Sequence, residues 1–138
     1  MVDKGIIKKR ISTIDSHFNR IEKYKKVSQD EFLANIEIQD AVEYNIFQII
    51  NHLIDLVQHI SVDEEYGTPE NAYNGAEFLF ENKVFTKEDL NLIRKMIGLR
   101  NVIGHSYLSI DKLIVYKVLI EGIKDINTII SKIVSRFL

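Results

Sequence analysis

The chain has 138 residues, of which 46% are hydrophobic, with a single proline and no cysteine. This length predicts one domain that spans residues 1–138, because two separate hydrophobic cores would not fit comfortably. The absence of cysteine excludes disulfide frameworks, thiolate zinc sites and cysteine nucleophiles. No apolar run approaches the roughly 18 residues of a membrane span, and residues 1–10 lack a signal-peptide core, so we expect a cytoplasmic protein.

The charges are unevenly distributed along the chain. The net charge of −2 argues against a protein that coats nucleic acid through bulk charge. Residues 1–26 carry eight basic and three acidic side chains, and residues 94–138 carry the same numbers. Residues 27–93 between them carry two basic and fourteen acidic side chains. This pattern could create a local positive field around Arg100, or it could be a chance segregation of surface charge.

The first half of the chain predicts two helices. A 4-3-4-3 spacing of apolar residues indicates a first helix that ends near Lys26. Ser28 and Glu31 have the form of a capping box, which predicts the start of a second helix of about thirty residues. Two apolar stripes on this helix predict burial on two faces, one of which could face a partner subunit. The stripes are Val42, Ile46, Ile49, Leu53, Leu56 and Ile60, and Phe47, Ile50, Ile54 and Val57.

The second half begins with a loop, because residues 62–74 show no sustained period. A short helix is predicted over Tyr73–Glu81. Thr86 and Asp89 then predict the start of another helix, which leads to residues 100–107 and is weakened at Gly104. The segment 100–107 should therefore lie at a helix end.

A last helix is predicted after Asp111, whose side chain can cap it. Its apolar residues repeat at spacings of 4, 3, 4, 3 and 4, from Leu119 to Phe137. Together these elements predict an all-α fold, an antiparallel up-and-down bundle of four to five helices.

Helical geometry constrains the segment that begins at Arg100. Residues five apart on an ideal helix point about 140° apart, whereas residues four apart differ by about 40°. Arg100 and His105 should therefore diverge, while Asn101 and His105 share a face. For Arg100 and His105 to meet at one phosphate, the helix must open near Gly104 or a second copy must contribute its own motif.

These residues resemble the signature of the HEPN superfamily, in particular of its HepT-like toxins: Arg100-Asn101-x-x-x-His105-x-Tyr107-x-x-Ile110-Asp111. The similarity extends to the long helix with Asp55 in its second half and to the loop at residues 66–69. It covers most of the chain between Asn35 and Lys132, and it implies a HEPN-like helical domain.

The resemblance implies a metal-independent ribonuclease without a cofactor, which acts on RNA such as tRNA or mRNA and not on DNA or at a membrane. The enzyme would be a homodimer whose two motifs line one cleft. Arg100 and His105 would be the catalytic pair, since guanidinium suits a phosphate dianion and histidine suits proton transfer near neutral pH. Asn101 would support them by orienting a partner or by contacting a phosphate oxygen.

The resemblance also implies a regulator. HepT-like toxins of type VII-like toxin–antitoxin systems are neutralised by a minimal nucleotidyltransferase antitoxin that adds AMP to the motif tyrosine, here Tyr107. A bulky anion at Tyr107 should block the cleft and repel the RNA phosphate. The RNA target and the cleavage site stay open.

His52, Asp55 and His59 fall on one face of the long helix and could bind a metal. No fourth ligand is evident, so we predict no metal site and favour Asp55 as a polar group that positions Arg100. His17 on the first helix is expected to be an ordinary surface or interface residue.

Two other functions are open at this point. The chain could be a noncatalytic nucleotide- or partner-binding subunit of a nucleotidyltransferase complex, in which Arg100 and His105 contact a nucleotide phosphate. It could also be a purely structural dimer.

Overall fold

The computed structural model describes residues 1–105 and 110–138, and the described elements are helices joined by short connections. In chain order they are α1 (Lys4–Ile21), a 3₁₀ turn (Glu22–Lys26), α2 (Gln29–Ala34), α3 (Ile36–Asp63), α4 (Asn74–Glu81), α5 (Lys87–His105), α6 (Lys112–Lys117), a π turn (Val118–Gly122) and α7 (Ile123–Phe137). The predicted all-α fold is therefore confirmed.

The long helix predicted from Ser28 is divided in two. Ser28 Oγ accepts a hydrogen bond from the Glu31 backbone N–H, but the helix that it caps, α2, has only six residues. Asn35 then adopts an extended backbone, and its side chain accepts from the Ile38 N–H to start α3. An asparagine side chain can replace a helical hydrogen bond in this way, and the apolar spacing gave no sign of the break.

The predicted start of α5 is confirmed. The Thr86 backbone N–H donates to Asp89 Oδ2 at 2.9 Å, and the Asp89 N–H donates to Thr86 Oγ1 at 3.2 Å. Lys132 of α7 also hydrogen-bonds to Asp89. Burial alone would raise the pKa of Asp89, but the hydrogen bonds from Lys132 and Thr86 hold it below its ordinary value. This pair fixes the first turn of α5 to α7.

The last helical stretch begins where it was predicted, because Asp111 caps α6 by accepting from the Leu113 N–H at 2.9 Å. The helix does not continue regularly, since a π turn separates α6 from α7. The predicted stripe is nevertheless buried from Leu119 through Ile133, which places this face of the helix in the core.

Helix α3 lies at the centre of the bundle and runs antiparallel to both α1 and α5. Along α1, the Met1 amino group contacts the Asp63 carbonyl and His17 contacts Asn45. Along α5, Arg100 contacts Asn51 and Gly104 faces Phe47. Both predicted apolar stripes of α3 are buried within the chain itself except Phe47, which is partly buried, so burying the second stripe does not require a partner subunit.

In the described ranges, none of the helices is both long enough and apolar enough to cross a lipid bilayer.

Candidate active site

The Arg100 side chain is held by two asparagines near the C-terminal end of α5. Its Nε and Nη2 atoms donate to Asn101 Oδ1, at 3.1 Å and 2.7 Å. Its Nη1 atom donates to Asn51 Oδ1 on α3, at 3.2 Å. All three guanidinium nitrogens are thus engaged, and both acceptors are neutral amide oxygens. This arrangement orients Arg100 without cancelling its charge.

Asn51 was missed by the sequence analysis. It lies 49 residues from Arg100 in the chain, and no local motif connects the two. A weak signal was present, because Asn51 precedes Asp55 by four residues on the polar side of an otherwise apolar helix. Only the packing of α5 on α3 identifies Asn51 as a partner of Arg100.

His105 is the last residue of α5 and is exposed, and the motif therefore lies at a helix end as predicted. Asn101, four residues earlier, is half-buried on the same side of the helix. The Arg100 guanidinium reaches the Asn101 amide, so the arginine charge lies on the side of α5 that the histidine shares. Tyr107 lies outside the described residues.

The helix does not open near Gly104. Helix α5 remains α-helical from Lys87 through His105, so one of the two routes proposed for joining Arg100 and His105 is not used. The packing of α5 on α3 explains the glycine at position 104, because a Cβ atom there would lie 3.2 Å from Cε2 of Phe47 on α3. The glycine lets α5 approach α3 closely beside Asn51.

Asp55 contacts a different arginine from the one expected. Its Oδ2 atom lies 3.7 Å from Nη1 of Arg10 on α1, and the side chains are 52% and 40% exposed. The ion pairs of the described residues do not join Asp55 to Arg100. The expectation that Asp55 positions Arg100 is therefore replaced by a contact with Arg10.

The two histidines near this pair lie between α1 and α3. His52 Nδ1 is 3.3 Å from Arg10 Nη1, and its ring stacks on that of His17 with the centroids 5.8 Å apart. His17 is buried within the chain and contacts Asn45 Oδ1 at 2.8 Å, so the prediction of an ordinary surface or interface residue is wrong. Burial, followed by the charges of Arg10 and His17, lowers the pKa of His52 against an opposing effect of Asp55.

His59 contacts Asp63 at 3.1 Å rather than Asp55. Across the parts of the chain that the structure describes, no three or more His, Cys, Asp and Glu side chains are grouped as metal ligands.

A cleft of about 390 Å³ borders the motif on the side of the α3 N-terminal half. Tyr44 and Phe47 line it from α3, together with Ile103 from α5. Two carboxylates, Asp40 and Glu43, complete the lining, and Glu43 is paired with Lys112 of α6. The cleft thus combines aromatic surface with acidic groups.

Comparisons with known proteins identify the family of this chain. The family model described as Ribonuclease HepT-like matches residues 14–133. The mRNA nuclease HepT of Shewanella oneidensis is 30% identical over 129 residues, which are 93% of this chain and 96% of that protein. The tRNA nuclease HepT of Aphanizomenon flos-aquae is 26% identical over 110 residues, which are 80% and 75% of the two chains.

Solved structures agree with the sequence relatives. The tri-AMPylated HEPN toxin of Shewanella oneidensis, in complex with its MNT antitoxin, has a TM-score of 0.88 at 27% identity and covers 99% of this chain and 100% of its own. A toxin–antitoxin structure with AMP-PNP also has a TM-score of 0.88, at 26% identity, with 96% and 99% covered. The family that the motif had indicated is confirmed: this chain belongs to the HepT-like ribonuclease family of the HEPN superfamily.

Proposed function

We propose that this protein is the toxin of a type VII-like toxin–antitoxin module and acts as a metal-independent ribonuclease. In this proposal two copies form a homodimer in the cytoplasm, and Arg100 and His105 of both copies line the RNA cleft. The observation that carries the proposal is the Arg100 guanidinium, which neutral amides hold in place beside the helix end that bears His105. The two HepT relatives, named as mRNA and tRNA nucleases, support RNA as the substrate.

Arg100 is suited to bind the reacting phosphate. A guanidinium carries five N–H donors, and the contacts with Asn51 and Asn101 engage one on each nitrogen. The second N–H of Nη1 and of Nη2 can then bind phosphate oxygens as a fork. Because the fork is oriented before the substrate arrives, less free energy is spent on ordering it as charge develops in the transition state.

His105 would move the protons. One imidazole removes the proton from a ribose 2′-hydroxyl, and the resulting oxygen forms a bond to phosphorus. The bond between phosphorus and the 5′ oxygen breaks, and a protonated imidazole gives its proton to that leaving oxygen. In a dimer the two copies of His105 can serve as base and acid, and the product ends in a 2′,3′-cyclic phosphate.

A direct assay tests this reaction. Purified protein should cleave tRNA or mRNA in the presence of EDTA and leave a 2′,3′-cyclic phosphate. Arg100→Ala and His105→Ala should each abolish cleavage, whereas Arg94→Ala, which removes an arginine of the same helix that pairs with Glu77, should retain it. Sedimentation should show that all variants remain dimers.

Cleavage that survives both motif substitutions would contradict the catalytic assignment, and cleavage that EDTA abolishes would contradict metal independence. Binding of ATP or AMP without any RNA turnover would instead support the noncatalytic nucleotide-binding subunit.

Regulation would act at Tyr107. The related Shewanella toxin is tri-AMPylated and in complex with an MNT antitoxin, which supports a minimal nucleotidyltransferase as the partner. Each added AMP would bring a phosphate next to the cleft and repel the RNA backbone. Incubation with the antitoxin and ATP should increase the toxin mass by whole AMP units and stop cleavage. Tyr107→Phe should stay unmodified and active under the same treatment.

A further inference from the structure

Two arginines from opposite ends of the chain contact neighbouring positions of α3. Arg100 reaches Asn51 from α5, and Arg10 reaches His52 and Asp55 from α1. Asn51 and Asp55 are four residues apart, which corresponds to about 6 Å along a helix axis. The two residues therefore lie one turn apart on the same side of α3.

The Arg10 side chain makes its contacts through one nitrogen and is partly exposed. Both of its contacts, at 3.3 Å to His52 Nδ1 and 3.7 Å to Asp55 Oδ2, are made by Nη1. Since arginine can only donate, this contact requires His52 Nδ1 to accept, which a neutral imidazole with its proton on Nε2 does. The guanidinium is thus oriented at one nitrogen, while its side chain remains 40% exposed.

The surface beside Arg10 is concave. Two adjacent cavities, of about 290 Å³ and 490 Å³, share Arg10, Asp55 and His59 in their linings. The first extends along α1 as far as Thr13, and the second extends to the loop at Thr68. A nucleotide whose phosphate contacts Arg10 would therefore have room for its ribose and base.

We infer that Arg10 binds a second phosphate of the RNA backbone, so that the substrate strand crosses α3 from Arg100 on α5 to Arg10 on α1. This inference rests on the proposed ribonuclease function. It gives a role to the basic N-terminal segment, and it makes Asp55 a positioning residue for Arg10. Asp55 also weakens the phosphate contact, because its carboxylate partly cancels the arginine charge.

The test measures binding of a fluorescent single-stranded RNA with 2′-O-methyl riboses, which cannot be cleaved through the 2′ oxygen. Anisotropy titrations over a range of NaCl concentrations would compare the wild-type protein with Arg10→Gln, Arg10→Lys and Asp55→Asn. Arg20→Gln is the matched control, since Arg20 is an exposed arginine of the same helix.

Arg10→Gln should weaken binding about tenfold, because it removes one charge-assisted contact. It should also reduce the slope of log K against log salt by about 0.7, the value for one phosphate of a single strand. Arg10→Lys should keep the wild-type slope. Asp55→Asn should tighten binding, and Arg20→Gln should leave it within about twofold.

Wild-type affinity and slope for Arg10→Gln would overturn the inference, as would equal losses for Arg10→Gln and Arg20→Gln, which would indicate diffuse charge. Circular dichroism identifies a variant that fails to fold. If Arg10→Gln does not fold, the affinity of Asp55→Asn decides, and an affinity no higher than that of the wild-type protein would overturn the inference. A wild-type protein that binds this RNA but does not cleave unmodified RNA would contradict the ribonuclease and leave Arg10 as a phosphate-binding residue. If the wild-type protein cleaves RNA but Arg10→Gln binds RNA as tightly as the wild-type protein does, the ribonuclease proposal stands and the inference about Arg10 is wrong.

Discussion

The two sides of α3 hold an arginine by different means. On the α5 side, Arg100 is held by the amide oxygens of Asn51 and Asn101. On the α1 side, Arg10 is held by the carboxylate of Asp55 and the imidazole of His52. The first set of partners is neutral, whereas the second includes a full negative charge.

This difference shows that the partners of an arginine can orient its guanidinium group with or without compensating its charge. An amide oxygen fixes a guanidinium through hydrogen bonds and leaves its formal charge for a ligand. A carboxylate such as that of Asp55, whose Oδ2 lies 3.7 Å from Arg10 Nη1, also lowers the positive potential that a phosphate would meet. We therefore expect Arg100 to bind a phosphate more strongly than Arg10, and the following substitutions test that difference.

The largest effect is expected when Arg100 on the α5 side is given a carboxylate partner, as Arg10 has on the α1 side. Asn51→Asp keeps the size of the side chain but places a carboxylate on Arg100. Cleavage of RNA should fall by about 100-fold in kcat/KM, because the phosphate then competes with a fixed anion for the guanidinium. The matched variant Asp55→Asn makes the opposite change at Arg10 and should not reduce cleavage. Equal rates for Asn51→Asp and the wild-type protein would show that Arg100 does not need its charge.

A smaller loss is expected when Asn51 is removed without adding charge. Asn51→Ala deletes one of the two acceptors that orient Arg100, and hydrogen bonds to charged groups contribute about 1.5 kcal/mol or more. The rate should therefore fall about tenfold, clearly less than with Asn51→Asp. Thermal unfolding would be recorded alongside the kinetics, because Asn51 is only half-buried and its loss should leave the fold intact.

The comparison also requires that α5 is anchored independently of Arg100, and Asp89 tests this. Asp89→Ala removes both the capping contact with Thr86 and the pair with Lys132, so we expect a loss of about 1–2 kcal/mol in the free energy of unfolding. Glu88→Ala, in the same turn but exposed, is the control and should cost less.

The pKa of Asp89 is lowered in the native state, so its contribution to stability is present at neutral pH. It should be lost as the pH falls below 3.8, the ordinary value, and through the native pKa. Urea unfolding of the wild-type protein and Asp89→Ala at several pH values would measure this. Two curves that stay parallel down to acid pH would contradict it.

The smallest effect concerns the α1 side and its histidine. Because the native pKa of His52 lies below its ordinary value of 6.5, the unfolded chain binds the proton first when the pH falls through that value. The wild-type protein should therefore lose a few degrees of Tm between pH 7.5 and pH 5.5, and His52→Gln should lose less.

Arg10→Gln should also reduce that loss, since the charge of Arg10 is among the causes of the shift. Arg20→Gln should lose as much Tm between pH 7.5 and pH 5.5 as the wild-type protein does. If Arg10→Gln and Arg20→Gln showed the same dependence of Tm on pH, the charge of Arg10 would not influence the pKa of His52.

Much of the helical framework could be predicted from local patterns. Ser28, Thr86 and Asp111 each cap a helix where the sequence indicated, because a cap depends on residues within one turn. The break at Asn35 and the π turn before α7 were not predicted, since apolar periodicity continues across both. The motif from Arg100 to Asp111 indicated the family, and the comparisons confirmed it.

The sequence alone determined the all-α class, the caps at Ser28, Thr86 and Asp111, the buried stripes and the position of the motif at a helix end. These features depend on hydrogen bonds and burial patterns within a few residues. The tertiary structure decided which groups surround the two arginines, because Asn51 is 49 residues from Arg100 and His52 is 42 residues from Arg10. It also decided that Gly104 serves close packing against Phe47. Such contacts depend on how whole helices pack, and no local pattern specifies them.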